Sequence, residues 1–271
     1  MFLLPVMLLL FSGGSAEVVD DFINKCPQYF MDKITPKILS GNQYKEICQT
    51  LGNITYYATL YDTDNKIPVY SAYNLAARVQ CVRLNNWLIE PQLDNFQGNN
   101  MERQNKRILL NQASDKDYEK SGYDRGHLAP VYHAASQECA GATFTLTNAA
   151  PQLGSFNKKW YHEVEKNMAS TVTNQCLRDT AHIVTGVVPG TNIIANRVRV
   201  PSHFWSAYCC KNQANQRISG GVIGENSQNS TIAQKTVKDL ETDLKTRYSV
   251  TGSFYLFDNN CRDATYVPVK P

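Results

Sequence analysis

Apolar and polar positions set out the strands of this chain more clearly than its helices. Residues 54–61 and 67–73 are rich in β-branched and aromatic side chains. The turn-forming Asp62-Thr63-Asp64-Asn65-Lys66 separates them, so the pair predicts a hairpin with a longer loop. Pro68 places the start of its second strand at an edge. Residues 143–147 alternate as a strand, and 181–188 read as a buried strand ending at Pro189-Gly190. Shorter strands are expected at 197–200, 206–209, 221–223 and 254–257. Helical spacing appears over 18–30 (Val19, Phe22, Ile23, Cys26), where Pro27 interrupts it, and over 157–168 (Trp160, Tyr161, Val164, Met168). Ser155 or Asn157 is available to cap the second of these helices. A long amphipathic helix is predicted over 231–248 through Val237, Leu240, Leu244 and Tyr248. Residues 85–118 lose the pattern and predict a long excursion with some helix around 103–113. No repeat, low-complexity tract or linker interrupts the series, so the reading is one α+β domain over 17–271.

The first sixteen residues stand apart: an apolar run from Phe2 to Phe11, then Ser12-Gly13-Gly14-Ser15-Ala16. This reads as a signal peptide, too short to span a bilayer, cleaved after Ala16. The expectation is a secreted, extracellular protein with no membrane span. All eight cysteines lie beyond the leader, which implies disulfides, with adjacent Cys209 and Cys210 taking different partners. No Cys-x-x-Cys or His-x-x-x-His spacing supports a zinc site. The sequons Asn53-Ile54-Thr55 and Asn229-Ser230-Thr231 suit a glycoprotein of the secretory route. A net charge of +3 is too small to argue for nucleic-acid binding by itself. The basic clusters at Arg103, Lys106 and Arg107, at Lys158 and Lys159, and at Arg197 and Arg199 are ordinarily solvated faces.

Chemistry concentrates in Asp124-Arg125-Gly126-His127-Leu128-Ala129-Pro130. An imidazole can act as a base near neutral pH. Arg125 offers a planar fork of donors suited to a phosphate or carboxylate. Gly126 permits a backbone conformation or close approach that a β-carbon would forbid. Downstream stand Thr147-Asn148, Pro151-Gln152, Asn157, Trp160 and Glu165. A strand ending in histidine, a second strand, and a helix bearing an amide and a carboxylate make a compact ββα unit.

That ordered set resembles the DNA/RNA non-specific endonucleases of the ββα-metal (His-Me finger) class. Their motif, in this numbering, is Asp124-Arg125-Gly126-His127 with Pro130, then Thr147-Asn148, Pro151-Gln152, and Asn157, Trp160 and Glu165. The likeness extends upstream through residues 56–61, 67–73, Trp87 and Glu90-Pro91-Gln92, covering roughly 40–260. With the leader and cysteines, it is similar to the secreted vertebrate endonuclease domain-containing 1 type. The resemblance implies an α+β ββα-metal fold with a central antiparallel sheet flanked by helices, and hydrolysis of phosphodiester bonds in DNA and RNA. It implies His127 as general base, Asn157 as the single protein ligand of Mg²⁺ (Mn²⁺ as substitute), and Glu165 in its outer shell. By the same resemblance Asn148 would position substrate and Arg125 would donate to a phosphate oxygen. Asp124, Pro151 and Trp160 are expected to hold hairpin and helix in place. Related nucleases carry an arginine where this chain has Asn85, two residues before Trp87. Arg83, of the same strand parity, is the expected substitute in substrate binding, ahead of Arg78. Asn85 is the feature that supports an alternative, a catalytically reduced secreted protein binding nucleic acid or a protein partner. His133, His162, His182 and His203 are expected to be packed or exposed rather than catalytic.

Overall fold

A computed structural model describes residues 18–76 and 78–270; the leader expected over 1–16 lies outside the described residues. The chain opens on β1 (Val18–Val19) and a single helical turn, α1 (Phe22–Lys25), where Asp21 accepts the Ile23 amide at 2.7 Å. A meander follows: β2 (Tyr44–Leu51), β3 (Ile54–Asp62) and β4 (Ile67–Asn74). The β3–β4 turn is tied by Asp62, which accepts the amides of Asp64 and Asn65 at 3.0 Å. Strands β5 (Leu88–Ile89) and β6 (Glu102–Arg103) and one helical turn, α2 (Asp115–Tyr118), punctuate the excursion. Next come β7 (Tyr123–His127), α3 (Gln137–Ala142), β8 (Ala149–Leu153) and α4 (Gly154–Trp160). A π-type turn at Tyr161–Glu165 carries α4 into α5 (Lys166–Gln175). The remainder is β9 (His182–Ile194), β10 (Val198–Lys211), β11 (Arg217–Glu225), β12 (Ile232–Lys235), α6 (Val237–Arg247), α7 (Asn259–Arg262) and β13 (Thr265–Tyr266).

The main sheet runs β1-β2-β3-β4-β9-β10-β11-β12, with every neighbour antiparallel, and β13 joins β11 in parallel. Both of its faces are buried. Phe204, Tyr208 and Cys210 of β10 pack toward Phe156, Trp160 and Met168 of α4 and α5; Trp205, Ala207 and Cys209 pack toward Leu240, Leu244 and Cys261 of α6 and α7. A strand sends successive side chains to opposite faces. Adjacent Cys209 and Cys210 therefore reach different layers, bonding Cys261 and Cys176 respectively, while Cys26–Cys48 ties α1 to β2.

Several expectations are corrected by the tertiary structure. Residues 143–147 do not form the second strand of the ββα unit; β8 does, paired with β7 from Tyr123↔Leu153 to His127↔Ala149. The backbone carbonyl of Thr143 is taken instead by Asn148 Nδ2 at 2.9 Å, and Leu146–Asn148 closes as one tight turn. Residues 103–113 are not helical. Asp94 accepts the amides of Leu110 and Asn111, and Arg197 donates to the carbonyls of Leu109 and Gln112, so side chains replace the helical ladder. The expected 231–248 helix splits into β12, which covers the edge of β11, and α6, capped where Thr236 accepts the Asp239 amide. Strand β9 runs on through Pro189-Gly190, and 197–200 and 206–209 are one strand, because register shifts around Pro201 accommodate Pro189 opposite it. Residues 254–257 make only a bridge, between Tyr255 and Lys37. Strand β4 is flanked on both sides, yet Pro68 lies ahead of the stretch paired with β9, which begins at Tyr70. Strand β2 was hidden by its polar residues; Gln49, fully buried, bonds Thr147 at 2.9 Å. Neither Ser155 nor Asn157 caps α4, whose N-cap position is Leu153.

Candidate active site

The ββα unit formed by β7, β8 and α4 places its polar groups through three close packings. His127 ends β7 opposite Ala149. Gln152 lies directly over Gly126, where a β-carbon would come within 2.3 Å of its Oε1, so this position tolerates only glycine. Helix α4 begins immediately after β8 and buries Phe156 and Trp160 against Phe204. That burial turns Asn157 outward.

Asn157 and Glu165 are eight residues apart, which on a regular helix leaves a rotational offset of about 80°. The wider π-type turn at Tyr161–Glu165 alters this phase, and both side chains line one cleft. His133 anchors the turn: its Nε2 lies 2.7 Å from the Glu165 carbonyl and its Nδ1 3.0 Å from the Tyr73 hydroxyl. A carbonyl only accepts, so the ring proton sits on Nε2 and Tyr73 donates to Nδ1. This packed histidine thus fixes the backbone under Glu165.

The cleft has a volume of about 730 Å³ and is lined by Arg78, Arg83, Asp124, His127, Asn157 and Glu165, with Lys158, His162 and Lys166 at its side. His127 is 8 % exposed, between Trp87 at 5.0 Å and Phe144 edge-on at 4.9 Å. Its Nε2 is buried without a hydrogen-bond partner among the described residues. Burial, with Arg83 adding to it, lowers its pKa to about 3, so the ring is neutral at physiological pH. Burial acts oppositely on Glu165, raising it to about 8 against the pull of Arg83. Asn157 donates from Nδ2 to Asp124 Oδ2 at 2.9 Å, which turns Oδ1 away, available to a cation.

Of the residues singled out from sequence, His127, Asn157, Glu165 and Arg83 meet at the cleft, and three do not. Arg125 pairs with Asp115 at 2.8 Å and lies over the rings of Trp87 and Tyr118, supporting the aromatic wall behind His127. Asn148 is fully buried: Oδ1 accepts from the Ala129 amide and Ser71 hydroxyl, and Nδ2 donates to the carbonyls of Ala129 and Thr143. It braces the turn after His127. Asn85 is exposed outside the lining, and residues 78–87 form no strand, so the parity argument linking it to Arg83 does not apply. Arg78, set lower by that argument, lines the cleft and stacks on Tyr132 at 4.1 Å. Asp124, expected to hold hairpin and helix together, does so through its bond to Asn157, and it also lines the cleft; its place in the motif beside His127 was the available signal.

Among the described residues no group of three or more His, Cys, Asp or Glu side chains forms a cage for a metal. The donors on hand are the amide oxygen of Asn157 and the carboxylates of Asp124 and Glu165. Few, hard oxygen donors suit Mg²⁺, which keeps several of its waters.

A profile of the DNA/RNA non-specific endonuclease family matches residues 38–264. The human endonuclease domain-containing 1 protein is 33% identical over 247 residues, covering 88% of this chain and 47% of its own length. Human mitochondrial endonuclease G is 34% identical over 107 residues, 34% of this chain and 35% of that protein. The chain thus spans about half the length of the human and mouse endonuclease domain-containing 1 proteins. Among solved structures, one described as the EndoG/EndoGI complex, on the mechanism of EndoG inhibition, superposes with a TM-score of 0.56 at 20% identity. It covers 83% of this chain and 89% of that one, and it supports the fold alone.

Proposed function

The chain belongs to the DNA/RNA non-specific endonuclease family, and from that premise we propose that it is a secreted, metal-dependent endonuclease cleaving DNA and RNA without strong sequence preference. The observation that carries this reading is the convergence of His127 from β7 with Asn157 and Glu165 from the interrupted helix on one cation-rimmed cleft. In this reading 17–271 is a single endonuclease domain. The disulfides Cys26–Cys48, Cys176–Cys210 and Cys209–Cys261, and the exposed sequon residues Asn53 and Asn229, agree with secretion and glycosylation. Among the described residues no helix is long and apolar enough to cross a membrane.

Neutral His127 takes the proton from the water that attacks phosphorus. Burial first and Arg83 second lower its proton affinity; a phosphate anion beside that guanidinium would offset the second effect and raise the basicity of the ring. Asn157 would hold Mg²⁺, or Mn²⁺, through Oδ1, with Glu165 in the outer shell; burial holds that carboxyl protonated up to about pH 8, and a bound cation would favour its ionised form. When bound, the ion supplies the positive charge that stabilises the transition-state phosphate and the leaving oxygen. Arg83 and Arg78 grip the phosphate, the group DNA and RNA share, which accounts for indifference to sugar and base. The alternative of a catalytically reduced binder rested on Asn85, which stands outside the cleft while two arginines line it.

The test is degradation of supercoiled plasmid and of single-stranded RNA with Mg²⁺, with EDTA, and by His127→Ala. Cleavage of both substrates, abolished in the last two conditions, is expected; cleavage that persists in EDTA removes the metal mechanism.

A further inference from the structure

Six cysteines are consumed by the three disulfides and are all buried; Cys81 and Cys139 remain as thiols, each partly exposed. They lie on two segments fastened side by side. The Val79 amide donates to the Ala134 carbonyl at 3.3 Å, and Val82 and the Gln137 side chain exchange two bonds of 2.8 and 3.0 Å. Between these contacts, the Cys81 thiol donates to the Ser136 carbonyl at 3.3 Å, and the hydroxyl of the same serine accepts the Cys139 amide at 3.1 Å. The Cys81 thiol and the Cys139 backbone thus both bond Ser136, and the Cys139 thiol lies near enough to Cys81 and to the Ser136 backbone for both to act on its proton affinity. Cys81 also lines the cleft, two residues before Arg83, whose guanidinium lies 5.4 Å from the ring of Phe144, the ring that packs on His127.

We propose that Cys81 and Cys139 form a fourth, reversible disulfide that pins the segment carrying Arg78 and Arg83 to α3, holding its cations at the cleft. Glutathione disulfide, or another small disulfide, serves as oxidant. The Cys81 thiolate attacks one sulfur, forming a mixed disulfide and releasing one glutathione thiolate. Cys139 then gives up its proton and attacks the Cys81 sulfur, releasing the second glutathione. Two protein thiols lose two electrons, one glutathione disulfide gains them, and both protons end on glutathione. Burial raises the Cys139 thiol and so lowers its thiolate fraction, which leaves the first attack to Cys81 and makes the intramolecular second attack the slower step. The effect on substrate rests on the nuclease reading; the bond itself does not.

The full chain is equilibrated in glutathione disulfide or in reduced glutathione, its free thiols are alkylated with iodoacetamide, and the peptides are mapped. A linked Cys81–Cys139 peptide is expected in the oxidised sample, with only these two residues alkylated after mild reduction. Both alkylated in the oxidised sample, or either joined to another cysteine, overturns the bond. Amide exchange of Val79 and Val82 reads the pinning without substrate: about tenfold slowing on oxidation is expected, and Cys139→Ser should abolish the difference. Equal exchange in the two states overturns the pin. Affinity for a labelled single-stranded DNA in EDTA should rise about three- to tenfold on oxidation. If the bond and the slowed exchange are found but no DNA binds in either state, the nuclease reading fails and the tether stands.

Discussion

On one wall of the cleft His127 and Asn157 stand on paired strands and a helix, with Gln152 over Gly126 and Phe156 and Trp160 sealed beneath. On the other, Arg78 and Arg83 stand on a segment without regular structure whose Val82 and Leu84 side chains face solvent. The difference follows the chemistry assigned to each wall. Proton transfer and metal ligation require donor and acceptor to be set within tenths of an ångström, which only a packed scaffold provides. Attraction between a guanidinium and a phosphate falls off gradually with distance, so it tolerates an adaptable support. Polar groups of the fixed wall are tuned by burial; those of the adaptable wall act by being present.

The largest break in this comparison is expected from His127→Ala, lowering kcat by about 10²–10⁴-fold. Circular dichroism and the thermal midpoint report whether the fixed wall survives; a full cleavage rate in a folded variant removes His127 from the chemistry. Asn157→Ala should come next, with about a hundredfold loss that added Mg²⁺ partly restores. The ion concentration giving half-maximal activity measures this effect, and an unchanged value shows that the metal is held elsewhere. On the opposite wall, Arg83→Ala is expected to raise KM about tenfold with a smaller change in kcat. Matched single-stranded DNA and RNA substrates should suffer equally; loss on only one assigns Arg83 to sugar or base.

Acid sharpens the same contrast. His127 has a folded pKa of about 3 against an ordinary 6.5, so between these values the unfolded chain binds more protons than the native one. Its contribution to stability is present above pH 6.5 and is lost as the pH falls toward 3. Glu165 has the opposite sign: raised from 4.5 to about 8, its contribution is present below pH 4.5 and is lost as the pH rises through 8. NMR titration of metal-free protein should find His127 and His133, the latter lowered to about 4, still neutral at pH 5. A His127 midpoint near 6.5 contradicts the burial of this wall. The smallest effect is expected from Asn85→Arg, which should leave cleavage within about twofold because that side chain is exposed outside the cleft. A large gain would place residue 85 against substrate.

The sequence by itself determined the groups and much of the local scaffold. The run from Asp124 to Pro130 and the later Asn157 and Glu165 carry the family resemblance and so named the groups proposed to react; the β3–β4 pattern named a hairpin, because it depends on residue type and short-range spacing. It also required Cys209 and Cys210 to part, since a two-residue period sends neighbours to opposite faces. Tertiary structure decided what depends on partners distant in the chain. The alternation at residues 143–147 yielded to the hydrogen bonds of Asn148, and the helical spacing at 231–235 yielded to the open edge of β11. Arg125 looked like a phosphate donor until Asp115, Trp87 and Tyr118 surrounded it, and Asp124, which joins hairpin to helix as expected, gained a place in the cleft as well. Spacing along the chain fixes which face a side chain takes within its own element; whether that face meets solvent, an ion pair or a cleft is set by what the remaining chain packs against it.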